Sequence, residues 1–360
     1  MSSIVNTFSS YYAGLSQRRT VAELNGELTR AAEEVSTGLK ADVYRALGRR
    51  SAESLSLHDG IRRTEDFVTS NTLLSGRLDI AASALKSVRE TGQEVLDLAA
   101  SNRSAPSHTA TTLQSTARAA LEALQPQLNA SYNRTSLFAG TATAGAPVQP
   151  WSEVNPGTGL SPQEVLEGVV GGGFADAADA AAKAAEVAAL FDGSNADRPE
   201  RNFKATFYNG TPQAQADGTP SPRQSARVAE DETLEYGVQA NDPAFRDLLR
   251  GLSMMAAVDV SRIEDPNAYA AWMEEAFDAL QSGTQGVLEA ETRLGAQQAR
   301  LERTLTGQQD RMALYNSQVL ELEGVDPYEA ASRMSELQTQ LEASYAVTAR
   351  LSKLSFLNFM

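Results

Sequence analysis

The sequence predicts a mainly α fold: a long coiled-coil helical bundle formed by N- and C-terminal segments, with a small β-containing inserted domain. Three observations carry that expectation. Apolar residues recur at alternating steps of three and four along both ends of the chain, the spacing of one helix face. The middle is rich in Gly and Pro turn signals. The C-terminal apolar stripe continues to the last residue, where chain ends are ordinarily polar and frayed.

Taken in order, Ile4, Phe8, Tyr11 and Leu15 begin the first stripe, and Val21, Leu24, Leu28, Ala31 and Val35 continue it. From Leu74 the positions Leu78, Ala81, Leu85, Val88, Gly92 and Val95 follow the a/d spacing of a left-handed coiled coil. A third helix is expected from about Ala110 to Asn133 through Leu113, Ala117, Leu121, Leu124 and Leu128, with Pro126 ending or kinking it. Residues 143–238 then read as a mixed insertion. Gly145-Ala-Pro, Asn155-Pro-Gly-Thr-Gly, Gly171-Gly-Gly, Asn209-Gly-Thr-Pro and Asp217-Gly-Thr-Pro are turns. Between them lie an Ala-rich helix near 175–190 and strand-like pieces at Phe203–Tyr208, Ala226–Ala229 and Thr233–Val238.

Helical spacing resumes after Asp242-Pro-Ala-Phe with Phe245, Leu248, Leu249, Leu252, Met255 and Ala256. Another helix starts near Asn267 and carries Tyr269, Trp272, Met273, Phe277 and Leu280 into the longest seam, Val287 to Leu322. That seam alone would be about 54 Å long at about 1.5 Å per residue, and its polar members Glu291, Gln298 and Gln308 suit register-setting or exposed edges. The closing stripe is Met334, Leu337, Leu341, Tyr345, Thr348, Leu351, Leu354, Phe356, Leu357, Phe359 and Met360. Internal stripes read first as bundle cores; the two terminal ones lack flanking segments to shield their outer faces, so they are expected to pair with each other and with neighbouring copies.

Composition limits the chemistry. At 360 residues and 42% hydrophobic content the chain can build packed cores, and a formal charge of -15 repels phosphate backbones and anionic lipid surfaces. Neither nucleic acid nor membrane is an expected partner. With no cysteine, disulfides and thiolate sites are excluded. The only two histidines, His58 and His108, lack carboxylates at ligand spacing and read as ordinary solvent-side or partly buried residues. The triple Gly at 171–173 lacks the Lys-Ser/Thr ending of a phosphate loop, and neither a Gly-x-Ser-x-Gly elbow nor an Asp-rich calcium loop occurs. No catalytic residue, cofactor or metal is therefore expected, and the chain reads as a non-enzyme. Its first residues lack a basic n-region and an uninterrupted apolar core, so export, if it occurs, is expected without a cleaved signal peptide.

Particular residues then become recognisable. Val35-Ser-Thr-Gly-Leu resembles the turn after the first helix of bacterial flagellins and their junction relatives. Leu294-Gly-Ala-Gln-Gln-Ala-Arg-Leu-Glu resembles the family's segment at the start of the long C-terminal helix, and the tail from Leu341 to Met360 is similar to its closing segment. The resemblance covers roughly the first 140 and last 120 residues. Within the family, Leu137-Phe-Ala-Gly-Thr and the Leu-Ser-Phe-Leu-Asn-Phe ending look closer to hook–filament junction proteins than to filament flagellins. One departure is the segment after the Ser-Thr-Gly turn: Lys40-Ala-Asp-Val-Tyr-Arg-Ala-Leu-Gly-Arg-Arg stands where many members carry an Asn/Ser/Asp-rich loop.

The resemblance implies a secreted, extracellular part of the bacterial flagellum, exported through the flagellar type III apparatus and shielded beforehand by an export chaperone. It implies self-association in a helical ring, with a neighbouring hook-associated protein and flagellin as partners. It also implies termini that stay unfolded until assembly. On this expectation 1–40 and 325–360 form the inner assembly domain, 41–142 and 239–324 a helical bundle, and 143–238 an outward-facing insertion. Ile4, Phe8, Tyr11, Leu15, Leu341, Tyr345, Leu351, Leu354, Leu357 and Phe359 are the expected assembly-interface residues. The alternatives are a filament flagellin, or a secreted adhesin or effector using the same export route.

Overall fold

The computed structural model describes residues 3–142 and 145–357. Its N-terminal arm consists of α1 (Ser3–Thr37), the short α2 (Val43–Leu47), α3 (Ser51–Ser101) and α4 (Ala110–Leu128). A minimal hairpin follows, β1 (Ser131–Tyr132) paired with β2 (Thr135–Ser136). Its two turn residues, Asn133 and Arg134, both take positive φ, as a tight primed turn requires. The middle contains α5 (Pro162–Val170), α6 (Ala177–Asp192), α7 (Phe203–Thr206) and the antiparallel hairpin of β3 (Ser225–Ala229) and β4 (Glu232–Glu235). The C-terminal arm is α8 (Pro243–Ala257), α9 (Pro266–Glu323) and α10 (Pro327–Leu357). The fold is thus mainly α, with two two-stranded sheets among the described residues and a small β-containing insert.

Local chemistry explains the boundaries. Ser161 and Glu164 form a reciprocal capping box that starts α5, and Pro162 sits at the first helical position. Asp176 caps α6, and Gly193 closes it in the left-handed conformation. The triple Gly is the turn between these two helices, with Gly171 and Gly173 at positive φ. Pro126 ends α4 within a turn: the helix stops at Leu128, short of Asn133, and the following residues enter the hairpin instead.

Phe203–Tyr208 corrects the strand expectation. Phe203 and Phe207 are four residues apart and lie together on one helical turn rather than on alternate faces of a strand. With Phe191 and Tyr208 they form an aromatic cluster whose ring centroids lie 5.0–6.1 Å apart. A six-residue apolar pattern fits both periods, and burial of the i, i+4 pair decided for the helix.

The chain divides into two compact units, one drawn from Met1–Val68 and Gly307–Met360 and the other from Thr69–Thr306. In the second unit α4, α5 and α6 all pack on α8. Leu74, Leu78, Ala81, Leu85, Val88 and Val95 of α3 are buried in its core with Leu113, Leu124, Phe245, Leu248, Trp272 and Leu280. The Leu137-Phe-Ala-Gly segment lies inside this unit. Phe138 O accepts from Ala240 N at 2.9 Å, Ala139 O accepts from Thr211 N at 2.9 Å, and Gly140 turns at φ +69. Two of the polar seam positions make cross-helix contacts here: Glu291 pairs with Arg89 at 2.9 Å, and Gln298 donates to Asp79 at 2.8 Å.

Candidate assembly interface

In the first unit, α1 and α10 pack against each other over much of their length. Helix α1 ends because Gly38 takes φ +71, a left-handed conformation that L side chains avoid. The carbonyl of Glu34 accepts from the Gly38 amide at 2.9 Å. Helices α9 and α10 are separated by Gly324-Val325-Asp326. Asp326 then caps α10, its carboxylate accepting from Tyr328 N at 2.8 Å.

These two breaks dock on each other. Leu39 and Gly324 form an antiparallel bridge; Lys40 N donates to Glu323 O at 2.8 Å and Val325 N donates to Gly38 O at 3.0 Å. The Lys40 ammonium reaches back to the Leu322 carbonyl. The side chain of Glu323, only 5% exposed, accepts from Ser54 Oγ at 2.5 Å and lies 2.8 Å from His58 Nε2, both on α3. Burial by itself pushes this carboxyl up; the Ser54 and His58 hydrogen bonds, with the charges of His58 and Lys40, outweigh that and hold it below the ordinary carboxylate range.

Beyond the joint, among the described residues, few large side chains of the pair are buried. Ala31 on α1 and Ala330 and Leu337 on α10 are buried, whereas Val21, Leu24, Leu28, Met334 and Leu341 are only half-buried. Glu34 ties the start of the seam: its carboxylate meets Arg333 Nη1 at 3.4 Å and accepts from Ala41 N at 3.3 Å. Farther along, Asn25 Nδ2 donates to the Tyr345 hydroxyl at 3.4 Å. Several apolar side chains on the pair stay exposed, Tyr12 at 68%, Tyr345 at 51% and Val347 at 47% among them.

Of the expected interface residues, Leu15, Leu341 and Tyr345 lie on these paired helices. Leu15 and Tyr345 are exposed, and Leu341 is half-buried. The side chains of Ile4, Phe8, Tyr11, Leu351, Leu354 and Leu357 lie outside the described residues, as does Phe359 altogether. Sequence reasoning missed Lys40, Ser54, His58 and Glu323. The available signal was the stop–start pattern Gly324-Val325-Asp326-Pro327, which reads as a helix end followed by a capped new helix.

Among the described residues no group of three or more His, Asp or Glu could hold a metal ion, and no helix is long and apolar enough to cross a membrane. Long N- and C-terminal helices that pair with each other, with apolar side chains left outward, define a helical assembly subunit. Residues 8–143 match the bacterial flagellin N-terminal helical region and residues 277–360 the bacterial flagellin C-terminal helical region, so the chain belongs to the bacterial flagellin family, a structural and non-enzymatic family of the extracellular flagellum. A solved chain assigned as a flagellar hook-associated protein of Vibrio parahaemolyticus shares the fold. It is 12% identical with a TM-score of 0.51, over 77% of this chain and 99% of that one. No curated protein matches the chain.

Proposed function

We propose that this subunit joins the hook to the filament and is incorporated through its terminal helices. The observation that carries the assembly reading is the outward apolar surface of the α1/α10 pair, because such surface needs a partner to cover it. Support for the junction branch comes from the Leu137-Phe-Ala-Gly-Thr segment, from the Leu-Ser-Phe-Leu-Asn-Phe ending, and from the hook-associated assignment of the Vibrio structure that shares the fold.

In this reading 1–40 and 325–360 are the inner assembly domain, 41–142 and 239–324 the bundle around it, and 143–238 faces outward. Ile4, Phe8, Tyr11, Leu15, Leu341, Tyr345, Leu351, Leu354, Leu357 and Phe359 pack against neighbouring subunits in a helical ring, flanked by another hook-associated protein and by flagellin. The chain travels through the flagellar type III apparatus, shielded by a cytoplasmic chaperone. Segments that order only on binding pay the entropic cost at that moment, which keeps the free subunit from polymerising early.

Deleting the gene is expected to leave hooks in place while filament protein is shed into the medium, scored by electron microscopy and by blotting the supernatant. Attached filaments of normal length in that strain would overturn the junction role. Purified protein that polymerises alone into long filaments would instead make it a filament flagellin. Replacing Leu351 and Leu354 together by Asp places unpaired charge in the proposed interface and is expected to abolish incorporation.

A further inference from the structure

We propose that Asn25-Gly26 is a site of spontaneous deamidation, open while α1 is unfolded in the free subunit and closed once α1 is helical against α10. The inference rests on the reading that the terminal segments order only on assembly.

The chain holds two Asn-Gly pairs, Asn25-Gly26 and Asn209-Gly210. A glycine after asparagine leaves its backbone nitrogen unshielded, and its wide φ/ψ range lets that nitrogen reach the preceding side chain. In the reaction the Gly26 nitrogen gives its proton to a solvent base and attacks Cγ of Asn25. A C–N bond forms, the Cγ–Nδ2 bond breaks, and the departing nitrogen takes a proton from water and leaves as ammonia. Water then opens the resulting succinimide at either carbonyl, giving an aspartyl or an isoaspartyl residue at position 25. The exchange is a hydrolysis, with neither oxidant nor reductant consumed.

Helical geometry forbids the first step. Both residues lie in the interior of α1, where helical spacing directs the Gly26 N–H at the carbonyl of Ala22 and away from the Asn25 side chain. The Asn25 amide is turned toward the preceding turn and the partner helix: Nδ2 donates to Val21 O at 3.0 Å and to the Tyr345 hydroxyl at 3.4 Å. Steric cover adds nothing. Asn25 and Gly26 are exposed, and no heavy atom outside the helix's own backbone and the chain neighbours lies within 4 Å of where a β-carbon on Gly26 would sit. The protection is therefore conformational, and it is lost wherever α1 opens. Gly26 itself eases that opening, since Gly in a helix interior costs about 1 kcal/mol against Ala. Asn209 is held by other means, all inside the Thr69–Thr306 unit: its N–H donates to Pro147 O at 2.7 Å, its Oδ1 accepts from Asn155 Nδ2 at 3.0 Å, and its Nδ2 donates to Gln149 Oε1 at 3.3 Å. The same dipeptide thus supplies a restrained reference within one chain.

The product bears on assembly. An isoaspartyl link carries an extra carbon in the backbone and breaks the i→i−4 ladder of α1. In either product a carboxylate replaces the amide and no longer donates to Val21 O or to the Tyr345 hydroxyl. A subunit that ages before assembly is thereby withdrawn from it.

The full free chain is aged in mildly alkaline buffer, with peptide mapping by mass spectrometry to read conversion at each Asn and amide exchange to read α1 in the same samples. Asn25 is expected to convert at least about tenfold faster than Asn209, the factor that about 1.4 kcal/mol of local-opening free energy at the tied turn supplies. In assembled flagella aged alike, Asn25 is expected to remain an amide, and flagella grown in the cell are expected to carry less converted position 25 than the unassembled pool. Gly26→Ala, which shields the attacking nitrogen, is expected to slow conversion at position 25 in the free chain and leave Asn209 unchanged. Both tryptophans, Trp151 and Trp272, lie in the Thr69–Thr306 unit, so their fluorescence checks that this unit stays folded in the variant. An α1 that exchanges freely while Asn25 converts no faster than Asn209 overturns the proposal and leaves the reading of the termini standing. An α1 protected in the free chain with Asn25 intact overturns both. Conversion beneath a protected α1, or equally fast in flagella and in the free chain, overturns the proposal as well, because the helix is then no barrier.

Discussion

His58 Nε2 and Glu323 Oε1, 265 positions apart in the chain, lie 2.8 Å from each other in the first unit. Glu323 is buried while the His58 side chain keeps about half its exposure (48%).

A pH dependence follows from that carboxylate. Its folded-state pKa lies below the ordinary value, because the Ser54 and His58 hydrogen bonds and the nearby charges outweigh burial. A depressed carboxyl pKa contributes stability that is present above the unfolded-state value and is lost as pH falls through the folded-state value. Amide-exchange protection along α10, taken relative to the intrinsic exchange rate at each pH, is expected to fall on the acid side of the ordinary carboxylate range. Glu323→Gln should show less protection than the parent at neutral pH and converge with it in acid. Parallel curves at all pH values would contradict the role given to the charge.

Gly38 sets a second expectation. At φ +71 a β-carbon is disfavoured by backbone geometry alone, since no heavy atom other than those of its chain neighbours lies within 4 Å of where that carbon would sit. Gly38→Ala is therefore expected to cost about 1–2 kcal/mol, all of it conformational. Amide exchange in α1 and α10 measures it, and tryptophan fluorescence, which reads the other unit, should not move. A loss seen equally by both probes would mean that the turn is coupled to more than the terminal pair.

The helical arms were legible in the sequence because their period is long and repeated. Leu74 to Val95 steps by four and three with few interruptions, and the buried face is the one that spacing selects. The short elements were not. Phe203–Tyr208 carries too few residues to separate period two from period 3.6, and only the packing of Phe191, Phe203 and Phe207 resolves it. The Glu323 contact with α3 was illegible for another reason. Its partners Lys40, Ser54 and His58 are ordinary polar residues on a distant segment, and their pairing comes from where the two helix breaks meet. The aromatic cluster makes its own prediction: Phe203→Ala is expected to destabilise the Thr69–Thr306 unit by about 3–5 kcal/mol. Chemical denaturation followed by tryptophan fluorescence measures it, and a loss under about 1 kcal/mol would show that the site collapses around the missing ring.

The glycines of α9 supply an expectation whose sign depends on position. On helix propensity alone, Gly→Ala in a helix interior gains about 1 kcal/mol. At Gly283 a β-carbon would stand 2.2 Å from Leu248 N and 2.5 Å from its Cα, and at Gly286 it would stand 2.6 Å from the Ala244 β-carbon. The two glycines are three residues apart on one face, so α8 lies against the bare backbone of α9 there. Leu248 N and Cα are backbone atoms and cannot swing aside. Overpacking of about 1–3 kcal/mol then exceeds the propensity gain, and Gly283→Ala is expected to lower the unfolding midpoint of this unit. Gly295, on the same helix, has no heavy atom within 4 Å of the corresponding position outside its own helix backbone and chain neighbours. Gly295→Ala should accordingly raise the midpoint. Thermal unfolding of the two single variants, followed through buried Trp272, gives opposite signs if close backbone approach governs Gly283, and the same sign if propensity governs both.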